Sequence, residues 1–114
     1  MVDWKKRIEK ITRSLRTSDH PMDVRIRYLL AERGVDVHSS LVANIMQEDS
    51  FLESGFIVTP EKRVYEFEYH YRDKPHEEAT FRVWRDVSHA YQTRAFGEAI
   101  ATAVAMVDRS EAVA

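Results

Sequence analysis

A chain of 114 residues, 44% hydrophobic and 32% charged, has the size and balance of one globular domain. It contains no cysteine, which excludes a disulfide framework, thiol catalysis and thiolate metal sites. No stretch reaches membrane-span length, and the charged N-terminus lacks the apolar core of a secretory signal, so a cytoplasmic protein with no membrane contact is expected.

The net charge of −2 is unevenly spread. In residues 1–16, Lys5, Lys6, Arg7, Lys10, Arg13 and Arg16 stand against Asp3 and Glu9, so this segment is +4 and the remainder −6. The same segment has helical spacing over 3–16. Trp4, Ile8, Ile11 and Leu15 fall in one narrow stripe, with the basic residues around the rest of the circumference. Pro21 suits the first turn of a second helix, which Ser18 or Asp19 would cap and Gly34 would stop after Arg33. Its main stripe is Met22, Ile26, Leu29 and Leu30. A second stripe, Val24, Tyr28 and Ala31, lies on the other side, as in a helix that is sandwiched or faces a partner. Leu41, Val42, Ile45 and Met46 predict a third helix over Ser39–Asp49.

The period then switches to two. Phe56-Ile-Val-Thr59 predicts a strand, and Thr59-Pro-Glu-Lys62 a turn with Pro at its preferred second position. In Val64-Tyr-Glu-Phe-Glu-Tyr-His-Tyr71, aromatic and mostly polar residues alternate, which predicts a half-buried antiparallel strand over 63–72. A polar loop over 72–78 leads to a strand over Ala79–Arg85. Centring that loop on Pro75 puts Phe67 opposite Val83, Tyr69 opposite Phe81 and Glu68 opposite Arg82. Phe56 and Val58 would then share the side of the odd-numbered aromatics. A last helix over Ser88–Asp108, with Phe96, Ala99, Ile100, Ala103 and Val107 on its apolar arc, would cover that aromatic side.

The expected fold is therefore α+β: three N-terminal helices, a three-stranded antiparallel meander and a C-terminal helix packed on the sheet. Residues 1–114 form a single domain in this reading, with a helical part at 1–50 and the sheet plus last helix at 51–114.

Residues that bear chemistry are scattered. The five histidines, His20, His38, His70, His76 and His89, show no helical metal-ligand spacing, though His70 and His89 with Asp86 or Glu68 would be the nearest to a metal set. Asp86, Ser88 and His89 are neighbours in sequence, whereas a catalytic triad joins separate segments; Ser88 reads more simply as a helix cap. Glu66 and Glu68 share a strand face, which would suit a carboxylate pair, but Arg63 and Arg82 beside them suggest ion pairing. The glycines at 34, 55 and 97 are isolated and make no phosphate loop.

The run Leu29-Leu-Ala-Glu-Arg-Gly-Val-Asp-Val37, followed by Ser39-Ser-Leu-Val-Ala-Asn-Ile45, resembles a helix-turn-helix, with the hairpin after it placed as a wing. That resemblance over 22–46 implies a winged-helix-like DNA-binding regulator. Ser40, Asn44 and Gln47 would meet the bases, and Lys5, Lys6, Lys10 and Arg13 the phosphates. The implied recognition helix, however, has no Lys or Arg and ends in acid, while phosphate contacts usually dominate DNA affinity.

The leading expectation is a non-catalytic protein-interaction module: a small bacterial regulator, adaptor or inhibitor. Its partner would bind at Trp4, Ile8, Ile11 and Leu15, with Val24 and Tyr28. Pairing the N-terminal helices of two copies would give a homodimer through the same stripe. The DNA-binding regulator is the second reading and a small divergent enzyme the third. No catalytic residue, cofactor or metal is assigned.

Overall fold

The computed structural model describes residues 2–111 and 113. They form three α-helices and one four-stranded antiparallel sheet, in the order α1 (Trp4–Thr17), α2 (Pro21–Glu32), β1 (Leu41–Asp49), β2 (Leu52–Val58), β3 (Val64–His70), β4 (Thr80–Asp86) and α3 (Gly97–Asp108). The strands lie in the sheet in chain order. Among these residues no helix is long and apolar enough to cross a membrane.

The expected three-helix, three-strand arrangement is corrected at residues 39–49, where the third predicted helix is strand β1. Leu41, Val42, Ala43 and Asn44 are all buried. A short apolar run buried on both faces cannot be told from a helix by periodicity alone. Here both faces are covered: Val42 belongs to the core that contains α2, Leu41 and Ala43 to the core that contains α3. The helix-turn-helix resemblance fails with it, because its recognition helix does not form. The boundary at residue 50 falls in the turn between β1 and β2, so β1 belongs with the sheet.

The first helix forms where its stripe predicts. Asp3 caps it by accepting from the Lys6 N–H at 3.1 Å. Its position explains how β1, an edge strand, is protected. Buried Thr12 accepts the Val42 backbone N–H at 2.9 Å. Arg16 donates to the carbonyls of Val37 at 2.9 Å and Ser40 at 3.0 Å, in the segment leading into β1, and to Val113 at 2.8 Å. Helix α2 is capped by His20, whose Nδ1 accepts from the Met22 N–H at 3.1 Å, rather than by Ser18 or Asp19. It ends before Gly34, which adopts φ +76°.

The β2–β3 turn resets the register. Lys62 sits in the left-handed region at φ 65°, and the Thr59 N–H donates to the Arg63 carbonyl at 3.0 Å. The loop is therefore three residues long, a type I turn followed by a left-handed residue. That one residue moves the pairing to Ile57 with Tyr65 and Phe56 with Glu66. Phe56 and Val58 thus lie on the face opposite the odd-numbered aromatics, because a one-residue slip exchanges faces. In the next hairpin Tyr69 pairs with Phe81 as predicted, but a bulge at Arg82 then sets Glu68 against Val83 and Phe67 against Trp84.

The two faces carry two cores. The aromatic face buries Phe67, Tyr69 and Phe81 with Ile26, Leu29 and Leu30 of α2 and Leu15 of α1. The other buries Phe56, Val58 and Val64 with Ile100, Ala103 and Met106 of α3, and Ile8 of α1 joins it. The C-terminal helix therefore covers the sheet, but not its aromatic face. It also begins later than predicted, at Gly97. Ser88 does not cap it; its hydroxyl accepts the Val64 N–H at 2.8 Å and bonds Asp86, closing the ends of β3 and β4.

Candidate functional site

The outer face of α2 presents Val24 at 46% and Tyr28 at 54% exposure, one helical turn apart. The inner face of the same helix is occupied by Ile26, Leu29 and Leu30, so these two have no place in the core. They line a cleft of about 430 Å³ with Asp19, Pro21 and Arg25, and His76 and Glu77 of the β3–β4 loop form its other wall. Arg25 braces the two walls. Its Nε donates to the Ala79 carbonyl at 2.8 Å, and its guanidinium lies 4.9 Å from the centre of the Tyr28 ring. An arginine over an aromatic face is attracted by the ring's electron cloud, which limits the motion of Tyr28.

His76 is held from beneath. The buried Tyr69 hydroxyl lies 2.9 Å from its Nδ1. Burial pushes the Tyr69 phenol up to about 12, so it stays protonated. A buried hydroxyl needs a hydrogen-bond partner, and His76 Nδ1 supplies one. The Tyr69 and His76 rings stack at 6.0 Å, Tyr71 lies 5.1 Å from His76, and His20 meets it edge-on at 5.8 Å. The imidazole at this wall is thus fixed by aromatic neighbours on several sides.

Behind this wall lies Glu53, only 9% exposed, paired across the sheet with Tyr69. Burial raises its pKa above the ordinary carboxylate value, and the charge of Asp23 in the first turn of α2 raises it further. Since the folded state holds this proton more tightly than the unfolded chain, Glu53 costs nothing below the unfolded value of 4.5. It destabilises progressively as pH rises through the higher folded value. Glu53→Gln is therefore expected to raise the unfolding midpoint relative to wild type at pH 7, with the difference shrinking towards pH 4. Urea titrations of both proteins across that range measure it; a variant less stable than wild type at pH 7 contradicts the assignment.

A second cleft of about 390 Å³ lies between α1, α2 and β1, with Ile11, Leu15 and Ile45 as its floor and Arg7, Lys10, Ser14 and Asp23 around it. Elsewhere on α1, Lys5, Lys6 and Arg13 are exposed, and Lys5 pairs with Glu111 at 2.6 Å.

The residues predicted for a partner separate into two groups. Ile8 and Leu15 are buried, and Trp4 and Ile11 half-buried, against the chain's own cores. The stripe is covered from within, whereas Val24 and Tyr28 remain outside. The residues assigned to DNA bases also disperse. Ser40 and Asn44 are buried, and Gln47 is exposed on β1. Glu66 and Glu68 are engaged by Arg85 at 3.1 Å and Arg82 at 3.2 Å. Sequence reasoning missed Tyr69 with His76, and Glu53. The first pair had a signal in Pro75, which returns the loop toward the strand; Glu53 had one in being a lone acid beside an apolar run.

No family model, no curated protein and no solved structure matches this chain.

Proposed function

We propose that the chain is a non-catalytic protein-interaction module, a small bacterial regulator, adaptor or inhibitor acting in the cytoplasm, and that its partner docks on the outer face of α2. The observation that carries this reading is the exposure of Val24 and Tyr28 together, beside a cleft with a rigid opposite wall. Tyrosine and arginine are the side chains that most often dominate protein interfaces, and here they stand in contact. The DNA-binding reading is not carried forward, since its recognition helix is strand β1.

The test uses the full chain as bait in an extract of its source. Replacing Val24 and Tyr28 together by Ser is expected to lower recovery of a stoichiometric partner about tenfold or more. Stability should change by no more than about 0.5 kcal/mol, because both side chains are outside the core. Lys10→Glu on α1 should leave recovery unchanged. Undiminished recovery with the double variant would exclude this face as the docking surface.

A further inference from the structure

The charge imbalance of the chain has a definite place in the fold. At about 100° per residue along α1, Arg7, Lys10, Lys6 and Arg13 fall in one sector about 120° wide. All four are exposed, and Glu9, the one acid within the helix, lies outside that sector. No ion pair among the described residues includes Lys6, Arg7 or Lys10. Arg7 instead lies over the Trp4 ring, 5.2 Å from its centre.

The cleft between α1, α2 and β1 borders this sector. Arg7, Lys10 and Ser14 form its α1 wall, and Ile11, Leu15 and Ile45 its apolar floor. Ile11 and Ile45 pack against the core on one side and stay half-exposed on the other. The opposite wall carries Asp23, from the first turn of α2. Cations, apolar floor and acid therefore follow one another across the cleft. We propose that it takes an acidic amphipathic segment of a protein partner, with apolar side chains on Ile11, Leu15 and Ile45 and carboxylates toward Arg7 and Lys10.

Charge and shape select this occupant. An anion is drawn to the α1 wall and repelled by Asp23, so the ligand carries its negative charge along one flank only. A nucleic-acid strand offers no aliphatic side chains for the floor. A membrane surface is flat, whereas this floor is recessed between two helices. From Lys6 to Arg13 the basic sector runs about 10 Å at about 1.5 Å per residue, farther than one small carboxylate reaches. An amphipathic helix laid in an apolar groove is a recurrent mode of peptide recognition, and charges on its flank fix its orientation. The cleft shares no lining residue with the one beside Val24 and Tyr28, so the two faces act separately.

The test is fluorescence anisotropy with the full chain and short labelled amphipathic peptides. In the first, leucines recur at helical spacing with glutamates along one flank. The others replace its glutamates by glutamine or lysine, or its leucines by alanine. The glutamate peptide is expected to bind about tenfold or more tighter than each of the others, and to weaken as salt is raised. Arg7→Glu with Lys10→Glu should reverse the preference to the lysine peptide, with a far-ultraviolet spectrum like that of wild type. Replacing Val24 and Tyr28 by Ser should leave the glutamate peptide bound as in wild type, so failure of either face is read without the other. Equal affinity for the glutamate and glutamine peptides, or no loss with alanine, overturns the proposal. So does undiminished binding to the Arg7/Lys10 variant, or tighter binding to duplex DNA or to phosphatidylserine vesicles.

Discussion

Phe67→Ala is expected to destabilise the protein by about 3–5 kcal/mol, the usual cost of removing a phenylalanine from a filled core. At about 4 °C per kcal/mol for a chain of this length, the midpoint falls well within reach of thermal melting. Phe67 is fully buried, with its ring centre 5.0 Å from that of Phe81. The end of its ring lies over Gly55, where an added Cβ would be 2.7 Å from it and 2.8 Å from the Asn44 backbone oxygen. The site therefore cannot collapse simply. The backbones of β1 and β2 hold the cavity open, and no neighbouring side chain at position 55 can swing into it. Gly55→Ala tests the same contact from the other side. It should also destabilise, and it should remain harmful in the Phe67→Ala background, because the backbone oxygen stays in place when the ring is gone. Denaturant titration of the single and double variants measures this. A loss below about 1 kcal/mol for Phe67→Ala would show that the aromatic face is not the main core.

Arg16→Met is expected to cost about 2–4 kcal/mol, because it leaves three carbonyl acceptors without their charged donor. Arg16 directs the bonds it makes among the described residues to backbone carbonyls. It spans Val37, Ser40 and Val113 with one planar group. Burial draws its pKa down, and the charge of Asp36 opposes that shift. The guanidinium stays charged in either case, so its role is to bind the end of α1 to the segment before β1 and to the C-terminal segment. Arg16→Lys should recover less than half of the loss, since an ammonium cannot match the fork of donors. Comparison of the three proteins in urea decides the matter. A Met variant within about 0.5 kcal/mol of wild type would mean that water replaces the clamp.

Much of the fold was legible because period and local chemistry agree. The stripe of Trp4, Ile8, Ile11 and Leu15 has no strand reading, and helix α1 forms there. Pro21 and Gly34 bracket α2, since one cannot sit mid-helix and the other adopts a positive φ readily. The alternation from Val64 to Tyr71 can only be a strand. The candidate site was legible in part. Val24 and Tyr28 stood out as a second apolar stripe, which the main stripe's burial leaves outside. For His76 and Tyr69 the sequence offered only the signal of Pro75, because their contact depends on the path of the nine-residue loop 71–79.

By itself, the sequence determined the element type wherever one face of an element meets water, since only then does the pattern carry a period. It also determined the turn sites, through Pro60, Pro75 and Gly34. Only the tertiary structure decided β1, because a segment buried in both cores, against α1 and α3, loses its alternation and looks like any short apolar run. Only it decided which face α3 covers. That choice rests on Lys62 taking a left-handed conformation, one residue whose backbone sets the parity of the hairpin and hence the side on which Phe56 and Val58 emerge. The same burial decided that Ile8 and Leu15 are core while Val24 and Tyr28 are surface. A stripe on a helix records that something apolar covers it, and the identity of the cover is a property of the whole assembled chain.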